Sequence, residues 1–231
     1  MSKKQRKPAA IISISSPDLP TENIIDSVNN GRLKEQDRYV NLVLSNQSLA
    51  GQIAPRVSIL SARFQDVGMA STKLRLLKLS DARLDHCDLA NADWYQSTLS
   101  RIEVFNCRLT GIKIIDSNIK DASIEDSKID LAQFRDSSFK DCRFSNCNLR
   151  EADFYGADLQ SVVFSGCDLR GAQLSRANLK GTDFRGSQLE GLQVRAEDLQ
   201  GAIIDSLQLV ALARDLAHLL GLKVLGSDEN S

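Results

Sequence analysis

The chain has 231 residues, a length that suits one domain with tails. Its formal net charge is −1 and 26% of its residues are charged, so no global field calls for nucleic acid or an anionic membrane as partner. No uninterrupted apolar run reaches the roughly eighteen residues of a membrane-spanning helix.

The first seven residues, Met1–Lys7, are basic. Ala9–Ser15 follows, an apolar stretch too short and too interrupted by Ser for a signal peptide, and it ends at Pro17-Asp18 without an Ala-x-Ala-like site. Residues 1–20 therefore read as a solvated, disordered tail, and 1–38 as tail plus lead-in. A short helix or turn is expected near Thr21–Ser27 before Asn29-Asn30-Gly31 breaks the chain. The cysteines are odd in number and lack staple-like spacing, which favours reduced thiols and a cytoplasmic protein.

Leu44 and Leu49 open a period of five that Ala54-Pro55 interrupts, so 39–56 reads as the N-terminal edge of a repeat body, partly a cap. From Val57 to Ser206 the period is strict. Every fifth residue, from Ile59 to Ile204, is apolar, and two positions before it stands a small residue in most units. A helix needs apolar intervals of three and four, and a flat strand intervals of two. A strict five fits a chain that turns a corner once per unit, with one large and one small side chain inside. Such units bury their apolar residue only by stacking.

The units Ala-Asn-Leu-Lys-Gly (177–181), Ala-Asp-Leu-Gln-Ser (157–161) and Cys-Asp-Leu-Arg-Gly (167–171) resemble the pentapeptide-repeat family, whose motif is Ala-(Asp/Asn)-(Leu/Phe)-x-x. The resemblance covers 57–206, although Asp or Asn before the centre is sparse in its first half. It implies an all-β fold: a right-handed quadrilateral parallel β-helix of about seven to eight coils with a C-terminal capping α-helix. The twenty-residue coil also has support in the residues themselves. Cys87, Cys107, Cys147 and Cys167 are spaced by multiples of twenty, as are Phe144, Phe164 and Phe184.

Leu77, Ile102, Ile112, Val162 and Leu192 are large where a small residue is expected, which predicts a wider wall there. Glu197 puts a carboxylate at an inward place. Burying it unpaired is costly, so the last coil should distort and let Glu197 reach solvent or a backbone donor. Beyond the body, Asp205 with Gln208 reads as a capping box and Gly221 as a helix stop. Leu209, Leu212, Leu216 and Leu219 form the apolar stripe of a helix in 207–225 that caps the open β-helix end. In several members of the family that region also joins two copies end to end, so the resemblance makes the stripe a candidate dimer contact. Leu222–Leu225 is expected to add a short strand, and 226–231 a tail.

All five cysteines hold the small inward position, where packing accounts for them. The two histidines, His86 and His218, stand beside no nucleophile with an acid behind it, and no Gly-rich phosphate loop occurs. No catalytic residue, metal or cofactor is therefore assigned, and the chain reads as non-enzymatic. One outward column stands out: Arg75, Tyr95, Ile115, Arg135, Tyr155 and Arg195 stack on one side of the coil. Aromatic and Arg residues are enriched at binding surfaces. The first reading is a cytoplasmic scaffold for a protein partner. The alternative rests on the resemblance, since some members mimic a DNA duplex and bind type II topoisomerases such as DNA gyrase, a property related to quinolone resistance. Neither reading has the chain bind nucleic acid directly or enter a membrane.

Overall fold

The computed structural model describes residues 12–20 and 32–223. Residues 1–11, the turn expected near Thr21–Ser27, the end of the strand expected at Leu222–Leu225 and the tail 226–231 lie outside them.

Seven strands form one parallel sheet in chain order: β1 (Arg38–Ser45), β2 (Ser58–Gln65), β3 (Lys78–Asp85), β4 (Thr98–Phe105), β5 (Asn118–Glu125), β6 (Ser138–Ser145) and β7 (Val163–Ser165). Each pairs with the next at a shift of twenty residues, as in Ile59↔Leu79 and Leu79↔Leu99. The bridges Val163↔Asp183 and Asp183↔Ile203 carry the stack past β7. The molecule is a right-handed quadrilateral β-helix.

The four corners of each coil have a backbone signature. Every fifth residue from Gln36 to Gly191 has φ between +48° and +79°. That left-handed region suits Gly, Asn and Asp. It holds through the first half as well, where Leu76 takes φ +59° without an Asp before its centre. At Gly156 the turn closes with Ala157 N–H donating to the Phe154 carbonyl at 3.0 Å, and the Asp153 carboxylate accepts the Tyr155 N–H at 3.0 Å. Asp158 does the same for the Gln160 N–H at 3.2 Å. The motif Asp is thus an Asx brace on the corner.

The repeat also starts earlier than the sequence pattern indicates. Ala54 is fully buried at an inward centre, and its N–H reaches the Lys73 carbonyl at 3.1 Å. Ala54-Pro55 therefore does not interrupt the body, because Pro55 stands at an outward place. Leu33, buried below this first coil, covers its end.

The centres fill the lumen. Phe144, Phe164 and Phe184 stack with ring centroids 5.1 and 5.2 Å apart. The aliphatic coils before them pack less fully and leave an apolar void of about 50 Å³ beside Leu99, Ile102, Val104 and Ile124.

The small inward place carries more than spacing. Ser97 N–H donates to Ser117 Oγ at 2.9 Å, and Ser117 N–H to Ser137 Oγ at 3.0 Å. Each such hydroxyl also donates to a carbonyl, as Ser117 Oγ does to that of Ile115 at 2.9 Å. Thiols take the same role: Cys87 N–H meets Cys107 Sγ at 3.2 Å, and Cys107 N–H meets Ser127 Oγ at 3.1 Å. All five cysteines are buried and free. Burial pushes the Cys142 thiol up to about 12, far from the thiolate that reactive cysteines need.

The end of the rod departs from the pattern where Glu197 led us to expect it. A 3₁₀ turn, Ala196–Leu199, replaces the corner, and Glu197 is exposed with its carboxylate 3.0 Å from Arg195. The Asp198 carboxylate takes the Arg176 N–H at 2.9 Å, a place that a carbonyl of the next coil fills elsewhere. Two short helices follow, α1 (Ser206–Ala211) and α2 (Ala213–Leu219), separated at Leu212. Asp205 and Gln208 form the capping box. Gly221, at φ +72°, ends α2: its N–H bonds the His218 carbonyl and that of Leu222 bonds Ala217, a Schellman closure. No helix among the described residues is long and apolar enough to cross a membrane.

Residues 12–20 are not a free tail. They lie against the coils, with Pro20 buried and Ile12, Ile14, Pro17 and Leu19 half-buried.

Candidate protein-interaction surface

The predicted column is built by the coil-to-coil ladder. Residues one place after an inward centre point outward, and their carbonyls accept from the coil before: Leu76 N–H donates to the Tyr95 carbonyl, Gln96 N–H to that of Ile115 and Asp116 N–H to that of Arg135, at 2.9, 2.9 and 3.0 Å. Arg75, Tyr95, Ile115, Arg135, Tyr155 and Arg195 therefore stand in one line, as the spacing requires. Tyr95, Ile115 and Tyr155 are half-exposed, while Arg75, Arg135 and Arg195 are exposed.

Each arginine of the column is held. Arg75 grips Asp93 of the next coil with Nε and Nη2 at 2.9 and 2.7 Å, and its guanidinium lies 6.0 Å from the centre of the Tyr95 ring. Arg135 bonds Asp153, and Arg195 binds Asp198 with two nitrogens. Arg176 sits 5.6 Å from the Tyr155 ring centre. The pattern of Asp held by Arg recurs around the rod. Arg101, Arg108, Arg170 and Arg185 bond Asp81, Asp88, Asp168 and Asp183 through two nitrogens each. These guanidinium hydrogen bonds hold the carboxyls of Asp81, Asp88, Asp168, Asp183 and Asp198 below the usual carboxylate range. Among the described residues, no cluster of His, Cys, Asp and Glu is arranged to hold a metal ion.

The second candidate set divides. Leu212 is buried and Leu216 is partly buried on the core, but Leu209 is 52% exposed. Leu219 closes α2. The residue facing the coils in place of Leu209 is Gln208, buried, whose Nε2 donates to the Phe184 and Ser187 carbonyls at 2.6 and 2.7 Å. The reason is polar. The last coil presents carbonyls with no further coil to satisfy them, and an amide answers them where leucine cannot. The buried stripe is 208, 212, 216, a spacing of four that the apolar pattern hid. The roll leaves Leu207, Leu209, Val210, Leu220 and Leu222 exposed.

A family model described as a pentapeptide repeat region matches residues 137–212. No curated protein sequence matches the chain. Among solved structures, a trypsin-treated form of QnrB1, a plasmid-mediated fluoroquinolone resistance protein, is 24% identical, covers 82% of this chain and 100% of its own, and has a TM-score of 0.39. HetL, involved in heterocyst differentiation regulation in the cyanobacterium Nostoc sp. strain PCC 7120, is 20% identical, with coverage of 74% and 91% and a TM-score of 0.33. A pentapeptide repeat protein of the Arabidopsis thaliana thylakoid lumen is 20% identical, with coverage of 45% and 76% and a TM-score of 0.24. Residues 137–212 are thus a pentapeptide repeat region, and the same period of five and four-cornered coil run through the rest of the rod.

Proposed function

We propose that the protein is a non-enzymatic cytoplasmic scaffold, a rigid rod that offers the column from Arg75 to Arg195 to a protein partner. The observation that supports this is the half-exposed line of Tyr95, Ile115 and Tyr155 on a frame fixed by backbone bonds. Aromatic groups already ordered lose little freedom on binding. The paired arginines at its ends add polar contacts without a large net field. Pull-down with Tyr95→Ala/Tyr155→Ala against wild type tests it. Partners of the wild type are expected to be lost while the melting temperature holds. An unchanged partner set removes the column from consideration.

The exposed apolar residues of α1 and α2 favour a second element of this reading, an end-to-end contact between two copies. Light scattering is expected to give a dimer for the full chain and a monomer for Leu207→Asp/Val210→Asp. A wild-type monomer refutes it.

The DNA-mimic alternative needs an unbroken acidic surface for a type II topoisomerase such as DNA gyrase. The Arg partners of Asp81, Asp88, Asp168 and Asp183 weigh against it. Gyrase supercoiling, with and without a fluoroquinolone, is expected to be unaffected by micromolar protein. Inhibition or protection reverses the ranking.

A further inference from the structure

Residues 12–20 cross the coils as an extended strap, running from later coils to earlier ones. Ser15 N–H donates to Asp121 Oδ1 at 3.1 Å, and Asp18 N–H to Asp81 Oδ1 at 3.0 Å. Ser61 Oγ donates to the Asp18 carbonyl at 2.9 Å, and Arg63 Nε to that of Pro20 at 3.1 Å. All four bonds address the main chain of the strap. Its serines and Asp18 face solvent.

The fit is metric. Asp81 and Asp121 lie two coils apart, about 10 Å at the strand spacing, and Ser15 and Asp18 are three extended residues apart, also about 10 Å. The strip does not depend on the strap for its order. Arg101 fixes Asp81 with two bonds, and Lys120 Nζ lies 3.7 Å from Asp121. With the strap in place both aspartates are 5% exposed, and its removal takes one N–H donor from each carboxylate. The strap does not fill its seat. A cleft of about 350 Å³ remains beside Leu19, Leu60 and Ser61, and Val40 at its edge is 44% exposed.

We propose that the corner strip Ser61–Asp81–Asp121 is a docking groove for an extended peptide, and that residues 12–20 are its resident occupant. Recognition through main-chain groups, with side-chain seats for specificity, is the logic of strand-addition sites. The partner it fits is a protein segment in extended form. Two of its N–H groups, three residues apart, meet the carboxylates. Aliphatic side chains flank them, and a larger apolar group at the place of Leu19 fills the cleft. This deepens the scaffold reading with a face separate from the tyrosine column, and it is tested on the purified protein, so either can fail alone.

The probe is a fluorescent peptide of residues 12–20, and a second with Leu19→Phe. Anisotropy is read with the full wild-type chain and with Ile14→Asp/Leu19→Asp, which detaches the strap. The detached chain is expected to bind at least tenfold more tightly than wild type, and the Leu19→Phe peptide more tightly still. Adding Asp81→Gly/Asp121→Gly should lose the binding at least tenfold. Glycine suits the left-handed corner at both positions, with φ +57° and +53°, so the coil is spared. In unmodified protein, excess peptide should speed hydrogen exchange at the Ser15 and Asp18 amides. Absence of binding to the detached chain, binding indifferent to the two aspartates, or exchange unmoved by peptide overturns the proposal.

Discussion

Ser117 shows what a single inward residue does in this rod. Its oxygen accepts from Ser97 N–H and donates to the Ile115 carbonyl, inside a wall where water does not reach. Ser117→Ala leaves that N–H without its partner. A loss of about 1–3 kcal/mol is expected, read as a lower urea midpoint. Ser117→Cys should lose less, since Cys107 serves the same role one column away. The sequence showed Ser, Cys and Ala as interchangeable small residues because a period of five treats all four sides alike. The hydrogen-bonding duty belongs to particular sides. Leu131 offers the opposite test. It holds φ +57° and is 51% exposed. A left-handed residue costs roughly 1–2 kcal/mol, and Asn bears it better. Leu131→Asn should raise the melting temperature by roughly 2–4 °C per kcal/mol recovered.

At the level of elements, the coils were legible and their ends were not. Period, inward centres and the distorted turn at Glu197 follow from residue order alone. The C-terminal cap does not, because its apolar stripe was inferred without the carbonyls it must cover. Gln208→Leu keeps a helix former but strands the Phe184 and Ser187 carbonyls. It is expected to cost about 1–3 kcal/mol and to speed amide exchange in α1. Leu209→Ala, at an exposed position, should change the urea midpoint little. The opposite ranking would restore the leucine stripe. The strap escaped notice for a related reason: Ile12, Ile14 and Leu19 look like scattered apolar residues until the groove that receives them is in place.

Across the whole molecule, the paired aspartates set the response to acid. Asp81, Asp88, Asp168, Asp183 and Asp198 bind protons less readily folded than unfolded, chiefly through their Arg hydrogen bonds. Their contribution is complete above the unfolded value of roughly 3.9 and is lost as pH falls through the lower folded values. The urea midpoint should stay flat from neutrality to about pH 5 and fall steeply below 4. Exposed guanidinium groups limit the size of the effect, and added salt should shrink it.

The twenty-residue coil also sets a measure of length. Outward groups of one column repeat at the strand spacing of roughly 4.8 Å. An α-helix laid along the rod repeats at about 5.4 Å per turn and slips by about 0.6 Å at each coil. Between Arg75 and Arg195 that error grows to more than 3 Å, enough to break any contact. Another parallel stack of strands keeps step for the full distance. The rod is commensurate with β structure and out of tune with helices, so the length of an interface along it already discriminates between the two kinds of partner.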